Sequence, residues 1–250
     1  MKIYLALFLI TAFAICANAQ TTNDNNKVIE SKAVSAALPA VDSALLVLAK
    51  LTVKAHGGDK FTNMKTLVVR GTADVSATPS QVIPASFAFV YSGEKYRIDI
   101  NNPFQPLKQV FDGEQTTSSI NGFSLPPLNR LGMPLLQKLE STGFVLSALP
   151  ENLKKKKGFR ITSPEGYFTD FIIDEKTGQV KSYEASYDLN GRTISTSVEI
   201  DKMRDVDGVI LPEKYSQRFN LGSVTIYSSF KAKDILVNSD VSDDVFSMSK

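Results

Sequence analysis

Apolar residues along this chain keep two different periods, and the change from one to the other divides it. Between Val41 and His56, the residues Leu45, Leu48, Ala49 and Val53 recur at spacings of three and four, which puts them on one face of an α-helix. Asp42 or Ser43 offers a side-chain oxygen to cap its first turn. The helix should stop at His56-Gly57-Gly58, where a glycine can take the left-handed conformation that satisfies the last carbonyls. His56 is then explained by its place at a helix end.

Beyond this helix the period falls to two. Thr66 to Val75, Ser86 to Tyr91 and Lys95 to Ile100 are short runs rich in β-branched and aromatic residues, the composition of strands. Ser92-Gly93-Glu94 predicts a tight hairpin between the last two, with Phe87, Phe89 and Tyr91 on one face and Tyr96, Ile98 and Ile100 sharing a face of the neighbour. The Asp112-Gly113 pair predicts a second hairpin turn between Gln109 and Thr116, leading into a strand over Ser118 to Phe123.

The middle of the chain breaks this regularity. Pro126, Pro127 and Pro134 punctuate a stretch in which Leu128, Leu131, Leu135, Leu136 and Leu139 keep helical spacing, and Phe144, Val145, Leu146 and Leu149 follow. One or two proline-broken helices are expected here, packed across the mouth of the sheet. Strands then return over Phe159 to Thr162, Tyr167 to Ile173, Val180 to Leu189, Thr193 to Met203, Glu213 to Asn220 and Val224 to Ile235. Turn sequences such as Ser163-Pro164-Glu165-Gly166, Asn190-Gly191, Asp205-Val206-Asp207-Gly208 and Asn220-Leu221-Gly222 separate them. The expected fold is mainly β with helices (α+β): a strongly curved antiparallel sheet or unclosed β-barrel of about 10–11 strands, with an N-terminal helix and a proline-broken lid over its hollow.

The first residues add a location. Met1-Lys2, the apolar run from Ile3 to Cys16 and the small-residue site Ala17-Asn18-Ala19 have the order of a secretory signal peptide, cut after Ala19. A lipidated Cys16 is not expected, because Ile15 stands where a lipoprotein signal wants a small residue. Residues 20–40 are polar and alanine-rich, too poor in large apolar groups to fold alone, and read as a flexible tether before one domain over 41–250. Cys16 is the only cysteine, so the mature chain has no internal disulfide and depends on packing and strand pairing.

Charge and motifs exclude several classes. The chain has 28 basic and 26 acidic residues and no basic stripe, which argues against nucleic acid as a partner. His56, the only histidine, has no cysteine beside it in the mature chain, so neither a zinc site nor a histidine-based triad is expected, and no metal or other cofactor is. Asp205, Asp207 and Gly208 lack the further oxygen ligands of a calcium loop and read as a turn. Lys154 to Lys157 could touch anionic headgroups, but a four-lysine run leading into a strand is more often a solvated loop. With no G-x-S-x-G elbow or phosphate loop, an enzyme is not expected.

The layout resembles the periplasmic lipoprotein carriers and receptors of the LolA/LolB type and their outer-membrane lipoprotein-sorting relatives. The residues that carry the resemblance are Lys54-Ala55-His56-Gly57-Gly58, Thr66-Leu67-Val68-Val69-Arg70-Gly71-Thr72, Tyr91-Ser92-Gly93-Glu94-Lys95-Tyr96-Arg97, Val110-Phe111-Asp112-Gly113-Glu114 and Asp207-Gly208-Val209-Ile210-Leu211-Pro212, in the family's order. The resemblance implies an unclosed barrel with a helical lid, holding the acyl chains of a lipoprotein or a free lipid in a periplasmic monomer that meets membrane-associated donor and acceptor proteins. It departs from the family at one place: Ser92-Gly93 stands where these carriers typically have an Arg-Pro pair that helps hold the lid closed. The candidate lining of the hollow is Phe87, Phe89, Tyr91, Tyr96, Ile98, Phe111, Leu131, Leu135, Leu136 and Phe144. The alternative is a non-catalytic envelope sensor or structural module that binds a protein partner through the same curved sheet.

Overall fold

A computed structural model describes residues 43–78, 81–120, 125, 127–189, 192–220 and 225–248. The expected signal peptide, its cleavage site, the tether, the Asp42 cap and the end of the strand expected to reach Phe123 lie outside the described residues, as do the Asn190-Gly191 and Leu221-Gly222 turns. Helix α1 (Ser43–Ala55) is followed by a single turn, α2 (Asp59–Thr62). The N-terminal strands are β1 (Thr66–Thr78), β2 (Gln81–Ser92), β3 (Lys95–Asn101), β4 (Leu107–Phe111) and β5 (Thr116–Ser118). After the lid come β6 (Val145–Ser147), β7 (Gly158–Thr162), β8 (Phe168–Ile173), β9 (Val180–Leu189), β10 (Arg192–Val206), β11 (Val209–Asn220) and β12 (Thr225–Val237).

All twelve strands form one antiparallel sheet in the order β5-β4-β3-β2-β1-β12-β11-β10-β9-β8-β7-β6. The sheet therefore has two arms of sequential hairpins, joined where the first strand pairs with the last. Along this seam β1 and β12 run in register from Leu67 opposite Val237 to Ser76 opposite Tyr227, with a shift between Arg70 and Gly71. Gly71 is required there, because a Cβ at that position would lie 2.1 Å from the Lys231 carbonyl oxygen. The edges are β5 and β6, which are consecutive in the chain, so the segment between them spans the gap that keeps the barrel open.

Twelve strands exceed the 10–11 expected. Val209 to Leu211 extends β11 toward its turn, and the short β6 falls where Val145 and Leu146 were grouped with a helix. The expected lid helices are 3-10 turns over Leu128–Arg130 and Met133–Lys138. Leucine spacing is helical here, but Gly132 at φ 67° breaks the chain between the turns, and Pro134 removes a donor at the start of the second. Two prolines inside strands are placed by pairing. Pro84 lies on the part of β2 beyond the reach of β3, and Pro212 on the part of β11 that precedes its pairing with β12, so neither ring blocks a ladder hydrogen bond on its free side.

The main core lies between the concave face of the sheet and the helices. Ala49 and Val53 of α1, Phe61 of α2, and Leu135 and Leu136 of the lid pack on Phe159, Phe171, Val69, Phe87 and Phe230 of the strands. A smaller cluster on the opposite face seats Phe246 of the C-terminal turn on Val68, Val90 and Val110.

His56 fixes α1 to the sheet, a role its position at the helix end did not by itself reveal. It is fully buried; its Nδ1 donates to the Ile210 carbonyl at 2.8 Å and its Nε2 accepts from the Val180 N–H at 3.0 Å. Its own carbonyl accepts from the Ile210 N–H at 3.0 Å. These partners require the neutral imidazole with the proton on Nδ1, and burial lowers its pKa, an effect the Ile210 hydrogen bond only partly opposes. The unfolded chain therefore takes up a proton below about pH 6.5 that the folded one resists, so this contribution is complete above that pH and declines as pH falls from it. Replacing His56 with Ala leaves a buried N–H and a buried carbonyl unpaired, and urea unfolding at pH 7.5 should show a loss of about 2–3 kcal/mol. The deficit should narrow between pH 6.5 and 5; a deficit that widened there would mean that the imidazole is charged in the fold, and one independent of pH that folding does not shift its pKa.

Candidate ligand cavity beneath the lid

A hollow of about 180 Å³ lies on the concave face under the lid. Its walls come from both arms: Leu67, Val69, Phe89, Tyr91, Ile98 and Ile100 from β1 to β3, and Tyr183, Val198, Leu211, Tyr215, Gln217, Phe219 and Phe230 from β9 to β12. Leu125, Leu128, Leu131, Met133 and Pro134 of the lid form its roof. The strands supply these side chains because inward positions alternate with outward ones; Phe89 pairs with Ile98 and Val69, and Tyr215 with Phe230. Phe87, Phe89, Phe230 and Tyr215 form a continuous aromatic group, with the Tyr215 and Phe230 rings stacked at 4.8 Å. Among the described residues no lysine, arginine, aspartate or glutamate lines this hollow. A second hollow of about 210 Å³ adjoins it through Leu67, Tyr91, Met133, Pro134 and Leu211, and carries polar groups from Lys65, Asn129, Gln137 and Lys138.

Polar contacts anchor the lid to both arms. Gln109 of β4, fully buried, accepts from the Leu125 N–H at 2.6 Å and donates to its carbonyl at 3.1 Å. The Gly132 N–H donates to Thr169 Oγ1 of β8 at 3.0 Å, and Gln137 donates to the Phe61 carbonyl at 2.7 Å. At the β2–β3 hairpin, Glu94 receives Lys138 in a short ion pair, Asn129 Nδ2 at 3.2 Å and Arg130 at 3.4 Å. Arg130 also reaches Glu165 of the β7–β8 turn at 3.5 Å, so one guanidinium stands between carboxylates from the two arms. Partial burial of Glu94 opposes ionisation, but the Lys138 hydrogen bond and the charges of Lys138 and Arg130 outweigh it and hold its pKa below the ordinary 4.5.

The Ser92-Gly93-Glu94 hairpin is thus tied to the lid with the carboxylate on the hairpin and the cations on the lid.

Of the ten candidate lining residues, Phe89, Tyr91, Ile98 and Leu131 line the main hollow. The other six candidates stand in the walls around it. Phe87 lies behind Phe89 in the core, Tyr96 accepts from Gln109 and stacks on Phe111, and Leu135 and Leu136 point into the core beside α1 and α2. Phe144 packs on that core below Arg130. These six fall short of the hollow because the lid turns away from helical periodicity after Gly132, and because the rim of β3 and β4 is filled by the Tyr96–Gln109–Phe111 group. The C-terminal lining, Tyr183, Val198, Tyr215 and Phe230 above all, escaped notice, although the alternation of Tyr183, Ala185 and Tyr187 was a usable signal. The pairing of Glu94 with Lys138 had none, since those residues are separated by forty-four positions.

With this geometry in hand, the protein compares with a LolA superfamily protein from Nitrosomonas europaea at TM-score 0.51 and 12% identity, over 79% of this chain and 97% of that one. The chain has a LolA-like fold. Weaker overlap extends to a DUF1329 family protein from Desulfovibrio piger (TM-score 0.48, 10% identity, 81% and 97% covered) and to a domain described as an outer membrane lipoprotein-sorting protein from Vibrio parahaemolyticus (0.42, 7%, 80% and 95%). No family model and no curated protein matches the sequence.

Replacing Glu94 with Gln should speed amide exchange across residues 128–138 several-fold at pH 7, after correction for intrinsic rates, with the seam strands unaffected. Because the pKa of Glu94 is lowered, the tie is complete above pH 4.5 and the wild-type lid should loosen in the same way as pH falls below it. Unchanged exchange in the variant would mean that Gln109 and Thr169 hold the lid without the ion pair.

Proposed function

We propose that the protein is a non-catalytic carrier or receptor that sequesters the acyl chains of a lipoprotein or a free lipid beneath its lid. The observation that carries this reading is the uncharged hollow roofed by a segment that is anchored through polar contacts at its margins. Apolar walls with the polar ties kept to the rim suit a container whose roof moves as a unit.

A sixteen-carbon chain in water costs on the order of 12 kcal/mol at about 0.8 kcal/mol per methylene, so carriage across an aqueous space needs a dry enclosure. The two adjoining hollows together reach the lower end of the roughly 300–1,000 Å³ usual for a ligand site. An acyl chain longer than the main hollow would extend into the second, past Tyr91, Met133 and Pro134. We place this activity in the periplasm, in transport toward the outer membrane; the order of residues 1–19 expected of an export signal supports that reading.

Fluorescent fatty acid uptake tests the proposal. Leu131→Asp or Phe89→Asp places a charge in the dry hollow and should weaken uptake at least about tenfold while the far-UV spectrum is kept. Equal uptake by the folded variants would show that the acyl chain binds elsewhere or not at all.

A further inference from the structure

The main hollow is apolar except at four side chains: Tyr91, Tyr183, Tyr215 and Gln217. They come from β2, β9 and β11 and converge from both arms. Tyr215 lies close enough to Tyr183 and Tyr91 for the three phenols to influence one another's ionisation. None of the three phenol oxygens has a hydrogen-bond partner among the described residues. Tyr96, one position along the same wall, shows the contrast, because its hydroxyl accepts from Gln109 Nε2 at 3.0 Å. Gln217 donates to Thr196 Oγ1 at 3.0 Å, so its amide already has a partner.

Tyr91, Tyr183 and Tyr215 are half-buried, so solvent reaches their hydroxyls until a ligand displaces it, and a ligand that brings no acceptor leaves the donors unpaired. Three phenylalanines would line the same hollow without that demand. Three phenols with no protein partner on one hollow therefore point to a partner that arrives with the ligand. Desolvation raises the pKa of each, so they remain protonated donors at every physiological pH. Among the described residues no cation lines the main hollow, and Lys65 and Lys138 lie only in the adjoining one. Beside the phenols an ionised carboxylate would therefore have no counter-charge in the main hollow, whereas an uncharged carbonyl asks only for donors.

We propose that Tyr91, Tyr183 and Tyr215 form a donor subsite for the uncharged carbonyl of an acyl ester or amide, so that the hollow selects esterified or amidated acyl chains over free hydrocarbon and over ionised fatty acid. This rests on the carrier reading and narrows its ligand. Lid placement supports it: Gly132, held to Thr169, passes so close over Tyr183 that a Cβ there would come within 2.9 Å of the phenol oxygen, so the closed lid covers the donors.

The test displaces N-phenyl-1-naphthylamine from the mature protein with methyl laurate, dodecane and laurate at pH 8. The wild type should bind the ester about tenfold more tightly than either of the others, and the Tyr91→Phe, Tyr183→Phe, Tyr215→Phe triple variant should lose its preference for the ester over dodecane. Single Tyr→Phe variants, each losing part of the preference, give the same reading if the triple variant does not fold. Equal binding of all three ligands by the wild type, tightest binding of laurate, or an ester preference that survives the substitutions would overturn the subsite and leave the container standing. A wild type that binds neither the dye nor any of the three ligands would overturn the carrier reading together with it.

Discussion

The pairing of β1 with β12 is the constraint on which the rest of the molecule depends. It joins two arms of local hairpins that would otherwise be separate meanders, and it is the contact that brings Val69 and Phe89 into one enclosure with Tyr215 and Phe230. With the first and last strands paired, the free edges fall at β5 and β6, and the intervening segment has no course except across the opening. An unclosed barrel with a lid is thus a consequence of strand order. Gly71 marks how tight this seam is, since the backbone of β12 occupies the space of its missing side chain.

Polar groups are distributed in step with that architecture. Buried polar side chains with a structural task are paired: His56 between Ile210 and Val180, and Gln109 on both backbone groups of Leu125. The lid contacts with charge sit at its margin, where Arg130 spans Glu94 and Glu165. Both ion pairs are partly exposed and so contribute modestly to stability, which suits a roof that opens. The half-buried phenols of Tyr91, Tyr183 and Tyr215 have no hydrogen-bond partner among the described residues, and they line the hollow, where an incoming molecule would supply one.

Much of this was readable from the chain. The period-two runs and their Gly, Pro and Asp turns located the strands, and Leu45 to Val53 located the helix, because each pattern reflects a burial stripe set by local geometry. The lid was misread as helical because leucine spacing carries no information about Gly132, whose left-handed backbone ends the first turn. Half of the cavity was missed for a different reason. Phe89, Tyr91 and Ile98 announce themselves by sitting on one short hairpin, whereas Tyr183 and Tyr215 reach the same hollow only through the β1–β12 seam, a pairing between residues 151 to 170 positions apart that no local pattern encodes. The Glu94 tie depends on that same long-range closure.

Native mass spectrometry of the mature protein, purified without detergent and followed by organic extraction, tests the central claim most directly. A dry enclosure for acyl chains predicts recovery of acylated lipid near one per protein, released when the lid is opened by acid. A clean apo mass, together with no uptake of a fluorescent fatty acid, would contradict it and leave the concave face as a surface for another kind of partner.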